Sequence, residues 1–326
     1  MNSPSPLHIV FGTGPAGTTL AHHLLSQGKR VRCVNRTGQA DIPGTEIVSC
    51  DLLDADAVDR ICAGATVIYH CANVPYPDQV RILPLFQANL IRAASRAGAR
   101  LVVLDTLYVY GETRGLPMTE AMPNAATTRK GRMRAQLAKA YLGAHEAGVV
   151  QVTLGRAADF FGPGVLNSAL GDRVFPAALA GKPVQLLGDL DLPHSYSYIG
   201  DVARGLAILG ESDEAVGRAW LLPVAPPLTQ RAVSRLIASQ LGKPVRAIAL
   251  PKMAIRAFGL FSPFMREFVE MFYQYTEPQI VDSRLFEKTF GLEATPFEMA
   301  LHETLDWYAL RSRSPETPRV VTGEAG

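Results

Sequence analysis

The sequence predicts an α/β protein built around a doubly wound parallel sheet, with helices on both faces. Short apolar runs alternate with helix-like segments through the first half of the chain. Three of those segments end at a glycine (Gly64, Gly98 and Gly148), the residue that commonly follows a helix end. Apolar strands alternating with helices are typical of a parallel sheet covered on both sides, in which ligands bind at the carboxyl ends of the strands.

The elements of this sheet follow one another along the first half of the chain. The predicted strands are 7–11, 30–35, 46–49, 66–71, 100–104 and 149–154. The predicted helices are 18–26, 55–63, 84–97 and 127–147, and Asp54 is the predicted N-cap of the second.

A glycine-rich turn joins the first strand to the first helix. Its residues are Gly12, Thr13, Gly14, Pro15, Ala16 and Gly17, a G-x-G-x-x-G pattern. The first glycine permits a tight turn, the second lets backbone N–H groups approach a pyrophosphate, and the third lets the helix pack close to the strand. Between a strand and a helix the pattern predicts a dinucleotide site in a Rossmann-type fold; a glycine turn without a ligand is the alternative.

The end of the second strand bears on which dinucleotide binds. Asn35 and Arg36 stand about 20 residues past the glycines, where an NAD site usually carries an acidic residue for the ribose 2′-hydroxyl. That carboxylate is missing, and an arginine suits the 2′-phosphate of NADP(H). We therefore expect NADP(H) as the preferred cofactor and NAD(H) as the other candidate; a solvated arginine at a strand end is the alternative reading.

The alternating pattern stops after about residue 165, which predicts two lobes. The predicted dinucleotide-binding domain consists of residues 1–165, and residues 195–225 return to it. The predicted substrate lobe is smaller and mostly helical, and it consists of residues 166–194 and 226–311. Residues 312–326 are polar and are expected to form a disordered tail. The stretch 251–275 is rich in Phe and Met; packing in the core is the favoured interpretation, and a substrate lid or partner surface is the alternative.

Composition excludes several classes of protein. The 326 residues are 48% hydrophobic and 19% charged with a net charge of +2, which does not call for nucleic acid as a partner. No apolar run of about 18 residues and no secretory leader pattern is present, so we expect a cytoplasmic protein with no membrane partner. The four cysteines lack metal-ligand spacing, so we expect reduced thiols and no metal site.

Further stretches at the strand ends resemble one family when taken together. They are Asp51-Leu52, Cys71-Ala72-Asn73, Thr106 to Gly111, Gly162-Pro163 and Tyr198 to Ala203. With the glycine turn, the series resembles the extended short-chain dehydrogenase/reductase family of nucleotide-sugar epimerases and dehydratases over roughly residues 7–310. The resemblance implies that Asp51 and Leu52 lie beside the adenine and that Cys71, Ala72 and Asn73 line the cofactor.

The resemblance also implies a catalytic set, from which this chain departs. The family uses a Ser or Thr, matched here by Thr106, and a Tyr whose pKa is lowered by a Lys four residues later. No nearby spacing supplies that tyrosine. One register puts Thr128 at the Tyr position and Arg132 at the Lys position, and a shifted register puts Ala126 and Lys130 there. The chain is therefore predicted to be an atypical member.

Other side chains are candidates to complete the site. A threonine hydroxyl is far less acidic than a phenol of pKa about 10, whereas Arg132 can hold ribose hydroxyls or a phosphorylated substrate. Tyr108 points to the same side as Thr106 and is the candidate substitute acid/base, with a role in shaping the pocket as its alternative. His194 and Tyr196 are candidates for substrate contact, or packed side chains.

These features predict an NADP(H)-binding oxidoreductase or epimerase. Its substrate is expected to be a small carbonyl, alcohol or sugar-like molecule, and its active site lacks Tyr-x-x-x-Lys. The rival hypothesis is a catalytically silent NADP(H)-binding protein with a regulatory or redox-sensing role. The chain is expected to be a monomer or a homodimer.

Overall fold

A computed structural model describes residues 5–313 of the chain. Within that range the strands, numbered β1 to β13, are Leu7–Phe11, Arg30–Asn35, Glu46–Ser49, Ala65–His70, Arg100–Thr106, Val152–Ala157, Asp159–Phe161, Val184–Leu187, Pro193–His194, Tyr196–Tyr198, Ala219–Leu221, Leu228–Thr229 and Ala247–Leu250. The α-helices, numbered α1 to α11, are Pro15–Ser26, Ala55–Cys62, Gln79–Ala97, Arg129–Glu146, Phe175–Leu179, Ile199–Glu211, Gln230–Leu241, Lys252–Phe258, Pro263–Phe268, Arg284–Phe290 and Phe297–Arg313. Short 3-10 segments are Leu107–Val109, Asp213–Ala215 and Val269–Tyr275.

A seven-stranded parallel sheet forms the centre of the protein. Its strand order is β11-β6-β5-β4-β1-β2-β3, and every neighbouring pair runs parallel. The predicted fold class, a doubly wound Rossmann-type sheet, is confirmed. The direction in which successive strands are added reverses between β1 and β4, so a crevice opens at the carboxyl ends of these two strands.

Helices cover both faces of the sheet, as continuous apolar strands require. On one face α2, α3 and α4 bury Val58, Phe86 and Leu137 against the strands. On the other face α1 and α6 bury Leu20 and Leu206. Because both faces are closed, a ligand reaches the sheet only at the strand ends.

A second core lies beyond the sheet, in the C-terminal half of the chain. It packs α5, α7 and α11 around Phe175, Ile237 and Leu301. Segment 195–225 supplies α6 and β11 to the central part instead. Helix α11 extends to Arg313, so the first two residues of the expected tail are helical; residues 314–326 lie outside the described range.

Some element boundaries differ from the sequence-based expectation. Strand β6 starts three residues late because Val149 donates its N–H to the Ala144 carbonyl oxygen and closes the end of α4. Helix α3 starts at Gln79 and contains Pro84, because Ile82 and Leu83 of its first turns pack in the core.

The aromatic stretch 251–275 divides between core and surface. Met271 and Phe272 are buried. The expectation that the whole stretch is core is wrong for Phe258, Phe261 and Phe264, which are exposed. Phe258 ends α8, Phe264 lies in α9, and Phe261 lies in the turn between the two helices.

Two further observations concern the described residues as a whole. None of the helices in 5–313 is long and apolar enough to cross a bilayer. The four cysteines are all free thiols, three of them buried and Cys71 half-buried.

Candidate active site

The glycine turn brings the ends of β1 and β4 into contact. Gly12 has φ +94°, and a Cβ there would lie 2.6 Å from the Ala72 Cα, so only glycine fits between the two strands. A Cβ on Gly17 would lie 1.8 Å from the Gly12 carbonyl oxygen, which explains the third glycine. Both glycines therefore serve the backbone packing that the motif requires.

Gly14 differs, because it faces open space. It is the N-cap of α1, no side chain caps the helix there, and no atom lies within 4 Å of a Cβ built on it. Pro15 opens the helix and Ala16 packs against Val165 and Ile199. The uncapped N–H groups and the partial positive charge of the helix end face this space, an arrangement that attracts anions.

Asn35 and Arg36 have different surroundings. The Asn35 amide donates to Thr13 Oγ1 at 2.7 Å, and its oxygen accepts from the N–H groups of Thr37 and Gly38. Asn35 thus ties the glycine turn to the next loop. Arg36 is exposed, and within residues 5–313 its guanidinium has no hydrogen-bond or ion-pair partner, so it is available to a ligand.

The other residues expected at the cofactor also lie at the carboxyl ends of strands. Asp51 is exposed after β3, and Leu52 is buried beneath it. Cys71, Ala72 and Asn73 follow β4, and Asn73 Oδ1 lies 3.2 Å from the Gln79 amide nitrogen. The structure brings all of these residues to the same edge of the sheet as the glycine turn.

Thr106 and Tyr108 stand at the end of β5 on that edge. The Thr106 hydroxyl oxygen is buried and has no hydrogen-bond partner in the described part of the chain. The Tyr108 phenol is hydrogen-bonded to the Tyr76 phenol. Burial raises the pKa of Tyr108 to about 12, and the negative charge of Asp159 acts in the same direction. Tyr108 therefore stays protonated at neutral pH.

Helix α4 presents other residues to the site than the sequence suggested. Thr128 is its N-cap and accepts a hydrogen bond from the Gly131 N–H at 3.1 Å. Arg132 is exposed, on the outer side of the helix. Lys130 and Arg134, four residues apart, are buried on the inner side. The inward-facing pair of α4 is therefore Lys130 and Arg134. This is a third register, different from the two expected from the sequence, Thr128 with Arg132 and Ala126 with Lys130.

Arg134 is a buried cation with no carboxylate partner among residues 5–313. Its Nη2 lies 3.5 Å from Asn73 Oδ1, and its Nε is buried with no partner among the described residues. Its positive charge lowers the pKa of Tyr108, against the larger effect of burial. Arg134 thus lies within electrostatic reach of the candidate acid and beside the segment after β4.

Lys130, in contrast, is neutralised. It is inaccessible to solvent and forms ion pairs with Glu267 and with Glu270, the latter at 2.8 Å. Its ammonium also lies 5.1 Å from the centre of the Tyr76 ring. These contacts attach the segment 263–275 to the start of α4, and that segment covers Tyr76.

A second polar cluster surrounds Asp159 on β7. Its Oδ2 accepts a hydrogen bond from the Tyr275 phenol at 2.7 Å and lies 3.2 Å from His194 Nε2. Burial acts to raise the pKa of Asp159, but the contacts with His194 and Tyr275 outweigh it and the pKa is lowered. Tyr196 packs on His194, and its buried hydroxyl has no partner in the described range. An ionised carboxylate therefore lies between Tyr275 and His194, the latter a residue expected at the substrate.

Sequence reasoning missed Tyr76, Lys130 as an inward residue, Arg134, Asp159 and Tyr275. For α4 a signal was present, since Met133, Leu137 and Tyr141 mark a buried face that also contains positions 130 and 134. For Tyr76 and Tyr275 there was none, because they come from a loop and from a distant segment that meet only in the folded chain.

The chain is similar in sequence to a known family. The sequence profile of the NAD dependent epimerase/dehydratase family matches residues 9–222. UDP-glucuronic acid decarboxylase 1 of Xenopus tropicalis is 25% identical over 227 residues, which cover 63% of this chain and 53% of that protein. The chain spans about half the length of the curated relatives that it matches.

Solved structures share the fold at low sequence identity. An epimerase of Methanothermobacter thermautotrophicus superposes with a TM-score of 0.79 at 17% identity, covering 94% of this chain and 93% of that one. A dTDP-glucose 4,6-dehydratase of Bacillus anthracis, solved with NAD, gives a TM-score of 0.77 at 16% identity, covering 94% and 98%.

Proposed function

The chain belongs to the NAD dependent epimerase/dehydratase family, and from that premise we propose that it is an NADP(H)-binding oxidoreductase or epimerase with a non-standard active site. Its substrate in this proposal is a sugar-like alcohol or carbonyl compound. The curated relative's name refers to UDP-glucuronic acid, so sugar nucleotides are the first substrates to test.

The observation that carries the proposal is the unpaired Thr106 hydroxyl. A buried hydroxyl without a partner is costly, and such groups are usually satisfied by a ligand or by water. It lies at the carboxyl end of β5, on the sheet edge where Gly14 leaves room for a dinucleotide. In this proposal Thr106 holds the reacting oxygen of a substrate.

The residues around the glycine turn support NADP(H) as the cofactor. The N-terminus of α1 would hold the pyrophosphate, and the Arg36 guanidinium, which has no partner within residues 5–313, would hold the 2′-phosphate. Asn35 fixes the loop between them through Thr13. Bound there, the nicotinamide would supply hydride-transfer chemistry.

Tyr108 suits proton donation better than proton abstraction. With a pKa of about 12 it is protonated at neutral pH, yet a phenol remains more acidic than an aliphatic alcohol. Tyr108 can thus give a proton to an alkoxide that forms on a carbonyl substrate. Arg134 would stabilise the developing negative charge. These properties favour carbonyl reduction over an epimerisation that begins with proton removal.

Two observations favour the catalytically silent alternative. Lys130 is paired with two glutamates, and Tyr108 is already bonded to Tyr76. A protein that only senses the dinucleotide needs no free acid or base. This alternative predicts binding without turnover.

The test is nicotinamide absorbance during incubation with NADPH or NADP+ and a panel of sugar nucleotides and small carbonyl compounds. The proposal expects oxidation of NADPH by at least one carbonyl compound and a large loss of rate in Thr106→Ala. Tight NADPH binding with no turnover of any compound would favour the silent alternative. Absence of binding would overturn both.

A further inference from the structure

The helical hairpin 252–266, formed by α8, the turn after it and the first four residues of α9, exposes an unusual amount of apolar surface. Among the large hydrophobic side chains of the described residues, five exposed ones fall within these fifteen positions. They are Met253 (68% exposed), Phe258 (53%), Leu260 (74%), Phe261 (91%) and Phe264 (42%). Surface of this kind usually marks a contact with a partner or a membrane.

The hairpin is anchored, so its exposed side is a defined surface. Ile255 is fully buried and belongs to a cluster with Leu187, Phe272 and Tyr275. The Ser262 hydroxyl accepts a hydrogen bond from the Met265 N–H at 3.3 Å and caps α9. The apolar side chains at the turn therefore protrude from a fixed base, and Phe261 lies at its outermost part.

The charge of the hairpin has one sign. Lys252, Arg256 and Arg266 lie within it, and the next carboxylate, Glu267 of the same helix α9, is paired with Arg129 and Lys130 outside the hairpin. Within residues 5–313, Arg256 contacts the Met253 sulfur at 3.9 Å and Arg266 donates to the Gly259 carbonyl oxygen at 3.3 Å. No carboxylate in that range pairs with any of the three cations.

We propose that this hairpin docks on an anionic lipid bilayer. Protruding aromatic and aliphatic side chains flanked by cations suit the boundary between lipid headgroups and acyl chains. A second copy of the chain fits poorly, because a symmetric contact would bring the cations of both hairpins together. A bilayer deforms around a convex tip, whereas a protein partner needs a matching cavity.

The position of the hairpin gives the docking a consequence. The Phe264 ring centre lies 5.0 Å from that of Tyr76, and Glu267, one residue beyond the hairpin, pairs with Lys130. Docking would therefore hold the candidate active site beside the bilayer surface. The docking proposal does not depend on the proposed reaction.

The test is co-sedimentation of the full chain with vesicles of phosphatidylcholine, alone or mixed with phosphatidylglycerol. Binding is expected to the mixed vesicles and to fall as salt is added. The double variant Leu260→Ser/Phe261→Ser should weaken binding at least about tenfold. Lys252→Gln/Arg256→Gln should remove the preference for phosphatidylglycerol.

The matched control is Leu116→Ser/Met299→Ser, which removes apolar side chains of similar exposure elsewhere. It should bind as the parent does, and thermal melts should show that every variant is folded. The proposal is overturned if the parent binds neither vesicle, or if the control loses as much binding as the hairpin variant. It is equally overturned if the hairpin variant abolishes a dimer in solution while vesicle binding is absent.

Discussion

Lys130 and Arg134 lie one turn apart on the buried side of α4, and only one of them is neutralised. Two glutamates pair with Lys130, whereas no carboxylate within residues 5–313 reaches Arg134. A buried cation without a counter-charge is costly unless a ligand supplies one. We therefore expect Lys130 to have a structural role and Arg134, one turn later, to have a ligand-binding role.

Arg134→Ala should reduce kcat/KM by roughly 10²-fold, because it removes a charged donor from a site that excludes water. Arg132→Ala is the matched control on the exposed side of the helix and should leave kcat/KM unchanged. Steady-state kinetics with NADPH measure both. An equal loss in the two variants would contradict the assignment of Arg134.

Tyr108→Phe should slow carbonyl reduction by roughly 10²-fold, since it removes the proposed proton donor. The parent rate should show no phenol ionisation from neutral pH upward until the pH approaches about 12, where a group with that pKa begins to lose its proton. Tyr76→Phe keeps the donor and should have a smaller effect. Full activity in Tyr108→Phe would rule out its role.

Arg36→Ala should weaken NADPH binding by about ten- to a hundredfold and leave NADH binding unchanged, because only NADPH carries the 2′-phosphate. Arg30→Ala, at the opposite end of the same strand, is the control and should alter neither affinity. Calorimetric titration measures both dinucleotides. Equal losses for NADPH and NADH would show that Arg36 does not read the 2′-phosphate.

His70 should make stability fall in acid. Burial, and then the charge of Arg134, lowers the pKa of His70 from 6.5 to about 3. The unfolded chain therefore binds a proton below pH 6.5 that the native state refuses, and stability is lost as the pH falls from 6.5 towards 3. The limiting slope is about 1.4 kcal/mol per pH unit.

Urea unfolding at neutral and mildly acidic pH measures this slope, and His70→Gln should reduce it. Burial also lowers the pKa of His8, so His8 should account for part of the slope that remains in His70→Gln. An unchanged slope in His70→Gln would assign the acid sensitivity to other groups.

Patterns that act locally were predictable from the sequence. The glycine turn, the six strands of the first half and the Asp54 cap depend on residues close together in the chain, and the structure contains them with small shifts in their bounds. The family resemblance is confirmed by the profile that matches residues 9–222.

Features that depend on tertiary packing were not predictable from the sequence. The Tyr76–Tyr108 and Asp159–Tyr275 contacts join segments far apart in sequence, and neither has a local signal. The two registers considered for α4 were chosen to match Tyr-x-x-x-Lys, whereas burial of its apolar face decides which cations point inward.

The central claim is that the glycine turn binds NADP(H), and titration of NADPH fluorescence against Gly14→Ala tests it most directly. Gly14 has ordinary φ and open space around a Cβ, so alanine should leave the melting temperature unchanged while its methyl group enters the space for the pyrophosphate. The account predicts that the parent binds NADPH, that Gly14→Ala binds it at least about tenfold more weakly, and that the control Gly143→Ala, equally open on α4, binds as the parent does. Absence of NADPH binding by the parent, or equal affinity in the parent and Gly14→Ala, would contradict it.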